Sequence, residues 1–201
     1  MQAGKGTRMY PLAVDKPKPL IEVANKPVLE HNLEQMLGLV EEVVIIVGYK
    51  KDMIINRFGN NYKGIKITYV VQEEQLGTGH AVLMAKEFVN EKFLVLNGDD
   101  LFSRKDMGNI SKYENCILIK YKRDASAFGA VVIENGKVKD IVEKSKEFVS
   151  NYVNAGMYCF SPEVFAILQG LEPSIRGEYE LTDAVKVLAK QGKMHAEEVK
   201  G

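Results

Sequence analysis

Histidine and cysteine are scarce in this chain: three histidines and two cysteines among 201 residues. The cysteines, in "ENCILIKY" and "GMYCFS", fall in apolar, strand-like runs with neither CxxC spacing nor a histidine partner. That removes a thiolate metal site and a disulfide framework, and leaves buried, reduced core thiols. The histidines are widely scattered and form no cluster in sequence. Net charge is lacking too, since 27 basic side chains balance 27 acidic ones. No overall field draws the chain to nucleic acid or to an acidic membrane, so any anion site must be local. No apolar run approaches the roughly 20 residues of a membrane helix, and no apolar leader stretch opens the chain. The reading is a soluble, cytoplasmic protein. Repeats, low-complexity tracts and linkers are also missing, which favours a single domain over residues 1–201.

What is present alternates. "EEVVIIVG" (41–48), "IKITYVV" (65–71) and "EKFLVLNGD" (91–99) are β-branched or continuously apolar runs ending at polar or glycine punctuation. Between them, residues 26–39, 50–59 and 78–88 carry apolar residues at helical spacing. Strand, helix and strand in succession predict an α/β fold: a Rossmann-like, mostly parallel mixed sheet flanked by helices. From about Asn115 the texture changes to "NCILIKY", "GAVVIENGKVKDIVE" and "VNAGMYCF", with Glu134-Asn135-Gly136-Lys137 as a hairpin signal. Helical stretches follow at 161–171 and 180–192. The expected organisation is one domain with an inserted β-hairpin region.

In open α/β sheets, ligands bind beyond the carboxyl ends of the strands. Three unusual loops belong on that rim: "AGKGTRM", "VQEEQLGTGH" and "NGDD". The first lacks the third glycine of a dinucleotide fingerprint, Met9 standing there, and lacks the GxxxxGK of a Walker loop. What remains is a tight glycine turn whose N–H groups can face an anion, with Lys5, Arg8 and Lys18 supplying charge. Pro17 and Pro19 bracket Lys18 and stiffen its backbone, a costly arrangement for a mere surface lysine.

"AGKGTRMYPL…KPKPLIEVANKPVLEH", "QEEQLGTGHA", "LNGD", "FGAVV", "IVEK", "NAGMYCF" and "GEYELTD" together resemble, in order, the motifs of the sugar-1-phosphate nucleotidylyltransferases. They run from residue 3 to about residue 185. "QLGTGHA" is most similar to the uridylyltransferase domain of the bacterial N-acetylglucosamine-1-phosphate enzymes. The resemblance implies transfer of a nucleotidyl group from a nucleoside triphosphate, UTP first, to a sugar 1-phosphate, with release of pyrophosphate. Alternatives are dTTP- or GTP-dependent transfer to glucose or mannose 1-phosphate, and a regulatory domain that only binds nucleotide-sugar. Residues 1–114 would form the nucleotide half and 115–201 the sugar half.

Carried over residue by residue, the resemblance gives the backbone of Ala3, Gly4, Lys5, Gly6 and Thr7 to the triphosphate and Arg8 to its leaving phosphates. Lys18 would lie between the α-phosphate and the sugar phosphate. Asp99 would ligate Mg²⁺, a hard cation that prefers carboxylate oxygen; without the family match it is a turn or helix cap, and Asp100 is a decoy. Base selection would rest on Gln72, Gly77 and Thr78, with Gln75 secondary, because a glutamine side chain offers both a donor and an acceptor to an imide edge. Thr78 also suits an N-cap of its own helix, and His80 reads as a packed residue. Gly129, Glu143 and Asn154 match the sugar contacts. Lys144 reaches the sugar phosphate or pairs on the surface.

Two departures accompany the match. Only Met1 and Gln2 stand before the glycine loop, where the family has an apolar central strand, and "HAEEVKG" stops short of the family's Trp-x-Asp-Ile-Gly-like segment with its further metal ligand. The expectation is a fragment, or a chain in which another segment substitutes. Loss of a central strand would expose two edges and favour self-association into a homo-oligomer. No hexapeptide repeats support acetyltransferase activity.

Overall fold

The computed structural model describes residues 16–125, 128–143 and 148–200, which fall into two compact units. The first comprises Met1–Gln75 and Asn97–Arg104, the second Leu76–Leu96 and Lys105–Gly201.

In the first unit, Lys18–Leu20 forms a 3₁₀ turn whose Pro19 and Leu20 are buried. β1 (Glu22–Val23) and β2 (Lys26–Pro27) pair through a turn in which Ala24 and Asn25 take positive φ. Helix α1 (Val28–Met36) therefore begins later than residue 26. Pro27 holds the extended conformation that precedes it, and Gly38, at φ +70°, follows its end. β3 (Glu42–Val47), α2 (Lys51–Phe58), β4 (Asn61–Tyr62) and β5 (Ile65–Val71) complete this unit's regular elements. β3 and β5 pair in parallel from Glu42↔Lys66 to Val47↔Val71, the crossover that a connecting helix imposes, and β4 adds antiparallel to β5.

The second unit contains α3 (Thr78–Leu83), β6 (Phe93–Leu96), α4 (Arg104–Ile110, all but its first residue), β7 (Cys116–Tyr121), β8 (Gly129–Glu134), β9 (Lys137–Glu143), β10 (Tyr152–Phe160), α5 (Glu163–Gln169), α6 (Leu181–Lys190) and β11 (His195–Glu198). The strands form one sheet ordered β6-β10-β7-β11-β9-β8, and β8 also touches β10 at Val153↔Ala130. Asn135 (φ +51°) and Gly136 (φ +73°) turn the β8–β9 hairpin where the sequence signal placed it.

The sheets are mixed, but parallel pairing does not predominate among the described residues: only β3/β5 and β7/β11 are parallel. "FLVL" was expected to extend the parallel series; instead β6 pairs antiparallel with β10. The nine-residue β10 takes β6 on one side and β7 on the other, both antiparallel.

Helix α6 buries Leu181, Ala184, Val185, Leu188 and Ala189, the i, i+3, i+4, i+7, i+8 stripe of a core-facing helix, and packs on β9. Gly192 (φ +70°) ends it, with Lys193 N–H donating to the Leu188 carbonyl and Gly192 N–H to Ala189. Val138 N–H then donates to the Met194 carbonyl, so α6 runs opposite to β9 and its first turn lies toward the Glu143 end of that strand. Cys116 and Cys159 face each other across β7 and β10, both buried and unbridged. Burial pushes their thiols up to about 12 and about 11, which keeps them protonated and inert.

Candidate active site

Lys18 and Asp99 come together in the first unit: Lys18 Nζ lies 2.8 Å from Asp99 Oδ2, and the side chains are 18% and 28% exposed. Helix α1 organises both partners. The 3₁₀ turn bearing Lys18 packs against it, closed by Leu20 N–H to the Pro17 carbonyl at 2.8 Å. On the Asp99 side, buried Asn32 donates from Nδ2 to the Asp100 carbonyl at 2.8 Å and accepts the Phe102 N–H at 3.1 Å. Arg104 adds its backbone N–H to Gln35 Oε1 and its guanidinium to the Leu37 carbonyl. The loop after β6 is thus fastened to one helix, which fixes where Asp99 can sit.

The neighbouring Asp100 differs. Burial raises its carboxyl above the usual carboxylate range, and the Asp99 charge adds to that. Of the two acids, Asp99 holds the lysine.

The remaining first-unit candidates lie after β5. Gln72 is buried and its N–H donates to the Val47 carbonyl at 2.8 Å, continuing the β3/β5 ladder, whereas Gln75 is exposed. Gly77 and Thr78 belong to the second unit. Leu76–Gly79 lies against Tyr179: Tyr179 N–H donates to the Leu76 carbonyl and Gly79 N–H to the Tyr179 carbonyl, at 2.8 and 2.7 Å. A Cβ on Gly77 would stand 2.6 Å from the Tyr179 oxygen, and one on Gly79 2.9 Å from it. Gly77 moreover has φ +104°. Both glycines serve this close backbone approach.

Thr78 is not the N-cap of its own helix. Gly77 holds that position, and Thr78 Oγ1 accepts the Leu181 N–H at 3.0 Å, satisfying the first turn of α6 from 103 residues away. His80 is half-buried beside Tyr179, ring centroids 6.5 Å apart, in keeping with a packed residue.

The sugar-side candidates meet in the second unit's sheet. Gly129 pairs directly with Glu143 across β8 and β9, and a Cβ on Gly129 would lie 2.8 Å from Glu143 Oε1. The carboxylate therefore lies over the place a side chain would fill. Asn154 follows Val153, which pairs with Ala130. Its amide is engaged at a bulge: Nδ2 donates to Tyr158 Oη at 2.6 Å and Oδ1 accepts the Gly156 N–H at 2.9 Å. Ala3, Gly4, Lys5, Gly6, Thr7, Arg8 and Lys144 lie outside the described residues.

Sequence reasoning passed over Asn32 and Glu180. Glu180 is 8% exposed, stands immediately before α6, and accepts at Oε1 from Ser174 Oγ (3.2 Å) and Arg176 (2.7 Å). A glutamate where helices prefer Ser, Thr, Asp or Asn was the available signal.

Mixed sheets with flanking helices are those of the nucleotide-diphospho-sugar transferase fold, which the solved structures below share. Residues 1–201 match the nucleotidyl transferase family model, and the chain belongs to that family.

Among individual relatives, it is 46% identical over 202 residues to the bifunctional protein GlmU of Methanococcus maripaludis, covering 99% of this chain and 48% of that protein. It is 37% identical to the UTP–glucose-1-phosphate uridylyltransferase AglF of Haloferax volcanii, covering 96% of this chain and 83% of the relative. The chain thus spans about half the length of the GlmU relatives it matches. Among solved structures, a UDP-glucose pyrophosphorylase complexed with UDP-glucose superposes with a TM-score of 0.88 at 27% identity, covering 100% of this chain and 89% of the other. A putative glucose-1-phosphate thymidylyltransferase from Bacillus anthracis gives 0.88 at 30%, covering 100% and 85%. Among the described residues, no helix is long and apolar enough to cross a membrane.

Proposed function

We propose that this chain transfers a nucleotidyl group from a nucleoside triphosphate to a sugar 1-phosphate, forming a nucleotide-sugar and pyrophosphate as a single cytoplasmic nucleotidyltransferase domain. The observation that carries the reading is the Lys18–Asp99 pair: a cation and a carboxylate locked by α1 at the end of a strand. UTP is the favoured donor, since AglF bears uridylyl transfer in its name and a UDP-glucose pyrophosphorylase shares the fold. N-acetylglucosamine 1-phosphate is the favoured acceptor, on the "QLGTGHA" segment.

The chemistry asks little of an acid or base. An oxygen of the sugar phosphate, ionised at neutral pH, forms the new bond to the α-phosphorus, and the bond from that phosphorus to the bridging oxygen of pyrophosphate breaks. The protein's task is to bring two polyanions into line and offset their repulsion. Lys18 supplies that charge, with Arg8 and the glycine turn proposed for the leaving phosphates. Gln72, Gln75, Gly77 and Thr78 remain the proposed base segment, and Gly129, Glu143, Asn154 and Lys144 the sugar segment.

A divalent cation fits the acidic partner. Asp99 offers one accessible carboxylate, and magnesium is commonly held by one or two carboxylates together with substrate phosphates. Bound there, Mg²⁺ would neutralise phosphate charge.

A panel of UTP, dTTP and GTP against N-acetylglucosamine, glucose and mannose 1-phosphates, scored by pyrophosphate release, tests the reading. Release confined to UTP supports it. Tight nucleotide-sugar binding without release from any pair would instead mark a regulatory domain.

A further inference from the structure

The side-chain amide of Asn154 is held at both ends by its own strand. Gly156 N–H lies 2.9 Å from one end and Tyr158 Oη 2.6 Å from the other. A backbone N–H can only donate, so the end facing Gly156 is the oxygen and the end facing Tyr158 is the nitrogen. The phenolic hydroxyl could have met either end, and Gly156 decides between them.

The bulge in β10 makes this contact possible. Asn154 pairs with Ile119 and Tyr158 with Ile117, so four steps along β10 span two along β7. Four steps of regular strand would cover about 13 Å, and here they are folded into the length of two, about 7 Å. Gly156, at φ +83°, supplies the backbone conformation that the bulge needs. Tyr158 is itself held: it is buried, its ring stacks on Phe160 at 5.5 Å and 15°, and Phe160 packs on Phe93 of β6 at 6.3 Å.

An asparagine amide carries two N–H hydrogens and one oxygen. Gly156 ties the oxygen to the backbone and Tyr158 takes one hydrogen, so the second Nδ2 hydrogen is what half-buried Asn154 presents to a ligand.

We infer that Tyr158 is a positioning residue for the acceptor sugar: its hydroxyl fixes the Asn154 amide so that an N–H donor, and not the carbonyl, meets an oxygen of the sugar 1-phosphate. This rests on the transferase reading above, which gives Asn154 to the sugar. The arrangement complements Glu143, whose ionised carboxylate can only accept. One group of the sugar segment thus requires a donor on the sugar, and the other requires an accepting oxygen, such as a hydroxyl or an acetamido carbonyl. An amide already set in place also spares binding the cost of ordering it.

Steady-state kinetics of single and double variants test this. Tyr158→Phe keeps the ring and removes the hydroxyl. It is expected to raise KM for the sugar 1-phosphate about five- to twentyfold, with KM for the nucleotide within about twofold of the parent. In an Asn154→Ala background the same substitution should move the sugar KM by less than about twofold, because no amide remains to be positioned. Asn154→Asp, which offers two oxygens and no donor, should raise the sugar KM at least as far as Asn154→Ala does. An unchanged sugar KM in Tyr158→Phe, an equal rise for both substrates, the same rise in both backgrounds, or a parent-like KM in Asn154→Asp would each overturn the inference alone. If Tyr158→Phe fails to fold, heteronuclear NMR of the nitrogen-labelled unsubstituted chain decides. On saturation with the nucleotide-sugar formed in the substrate panel, one Asn154 side-chain proton should shift while its partner, bonded to Tyr158, holds its place. Equal shifts of both protons, or of neither, would overturn the inference. No turnover of any pair by the unsubstituted chain would overturn the transferase reading, and this inference with it.

Discussion

Lys18 Nζ sits 2.8 Å from Asp99 Oδ2, across 81 residues of sequence, in a unit where α1 packs on the turn that bears the lysine and bonds the backbone just after the aspartate. A partly exposed pair of this kind contributes at most about 1 kcal/mol to stability, whereas a cation aimed at developing phosphate charge is worth far more to the reaction. Lys18→Ala should therefore cost at least about a hundredfold in turnover and less than about 1 kcal/mol in urea unfolding. Equal losses in both would reduce the pair to a structural tie.

The Asp99 loop depends on Asn32. Its side chain is 3% exposed and bonds the Asp100 carbonyl and the Phe102 N–H. Asn32→Ala leaves those backbone groups short of partners and should destabilise by about 2 kcal/mol, with turnover falling further than the unfolded fraction explains. Urea midpoints alongside initial rates measure this, and a midpoint equal to that of the parent chain would count against the bracing role.

Much of this was legible in the sequence. The β-branched runs at 41–48 and 65–71 became β3 and β5, the Asn-Gly signal became a hairpin, and the apolar stripe from Leu181 became α6. Periodicity and turn chemistry act over a few residues and show in a linear reading. Strand direction does not: nothing within "FLVL" says that β10 will take it antiparallel. Nor does a linear reading show that Thr78 satisfies a helix 103 residues away, or that Gly77 and Gly79 are small because Tyr179 lies against them. Long-range partners alone decide such roles, and Glu180 was missed for the same reason.

Those glycines make a graded test. Gly77→Ala combines φ +104° with a Cβ 2.6 Å from backbone oxygen, so it should cost more than about 3 kcal/mol. Gly192→Ala has positive φ but nothing within 4 Å, and should cost about 1–2 kcal/mol. Denaturant curves on both variants give the order, and a reversed order would refute the close-packing account.

Thr78→Ala removes the oxygen serving Leu181 N–H and should cost about 1 kcal/mol, with Thr78→Ser nearly neutral. Faster hydrogen exchange at Leu181 in the alanine variant alone would locate the loss in α6. Equal exchange in both variants would show that the hydroxyl is not the cap.

Glu34 supplies a pH signature. Hydrogen bonds from Lys26 and Lys63 hold its carboxyl at about 2, against 4.5 ordinarily. A folded pKa below the unfolded one means that the unfolded chain binds the proton first. The contribution is thus complete above about 4.5 and disappears as pH falls toward about 2. Subtracting Glu34→Gln from the parent chain in unfolding measurements between pH 6 and pH 2 should give a difference that shrinks across that window. A constant difference would contradict the clamp.

The most direct test of the central claim is phosphorus NMR of the chain with UTP, N-acetylglucosamine 1-phosphate and Mg²⁺. The account predicts that nucleotide-sugar and pyrophosphate resonances grow in equal amounts as the triphosphate disappears, and that Lys18→Ala abolishes both. Intact triphosphate beside folded, nucleotide-bound protein, or release of inorganic phosphate in place of pyrophosphate, would contradict it.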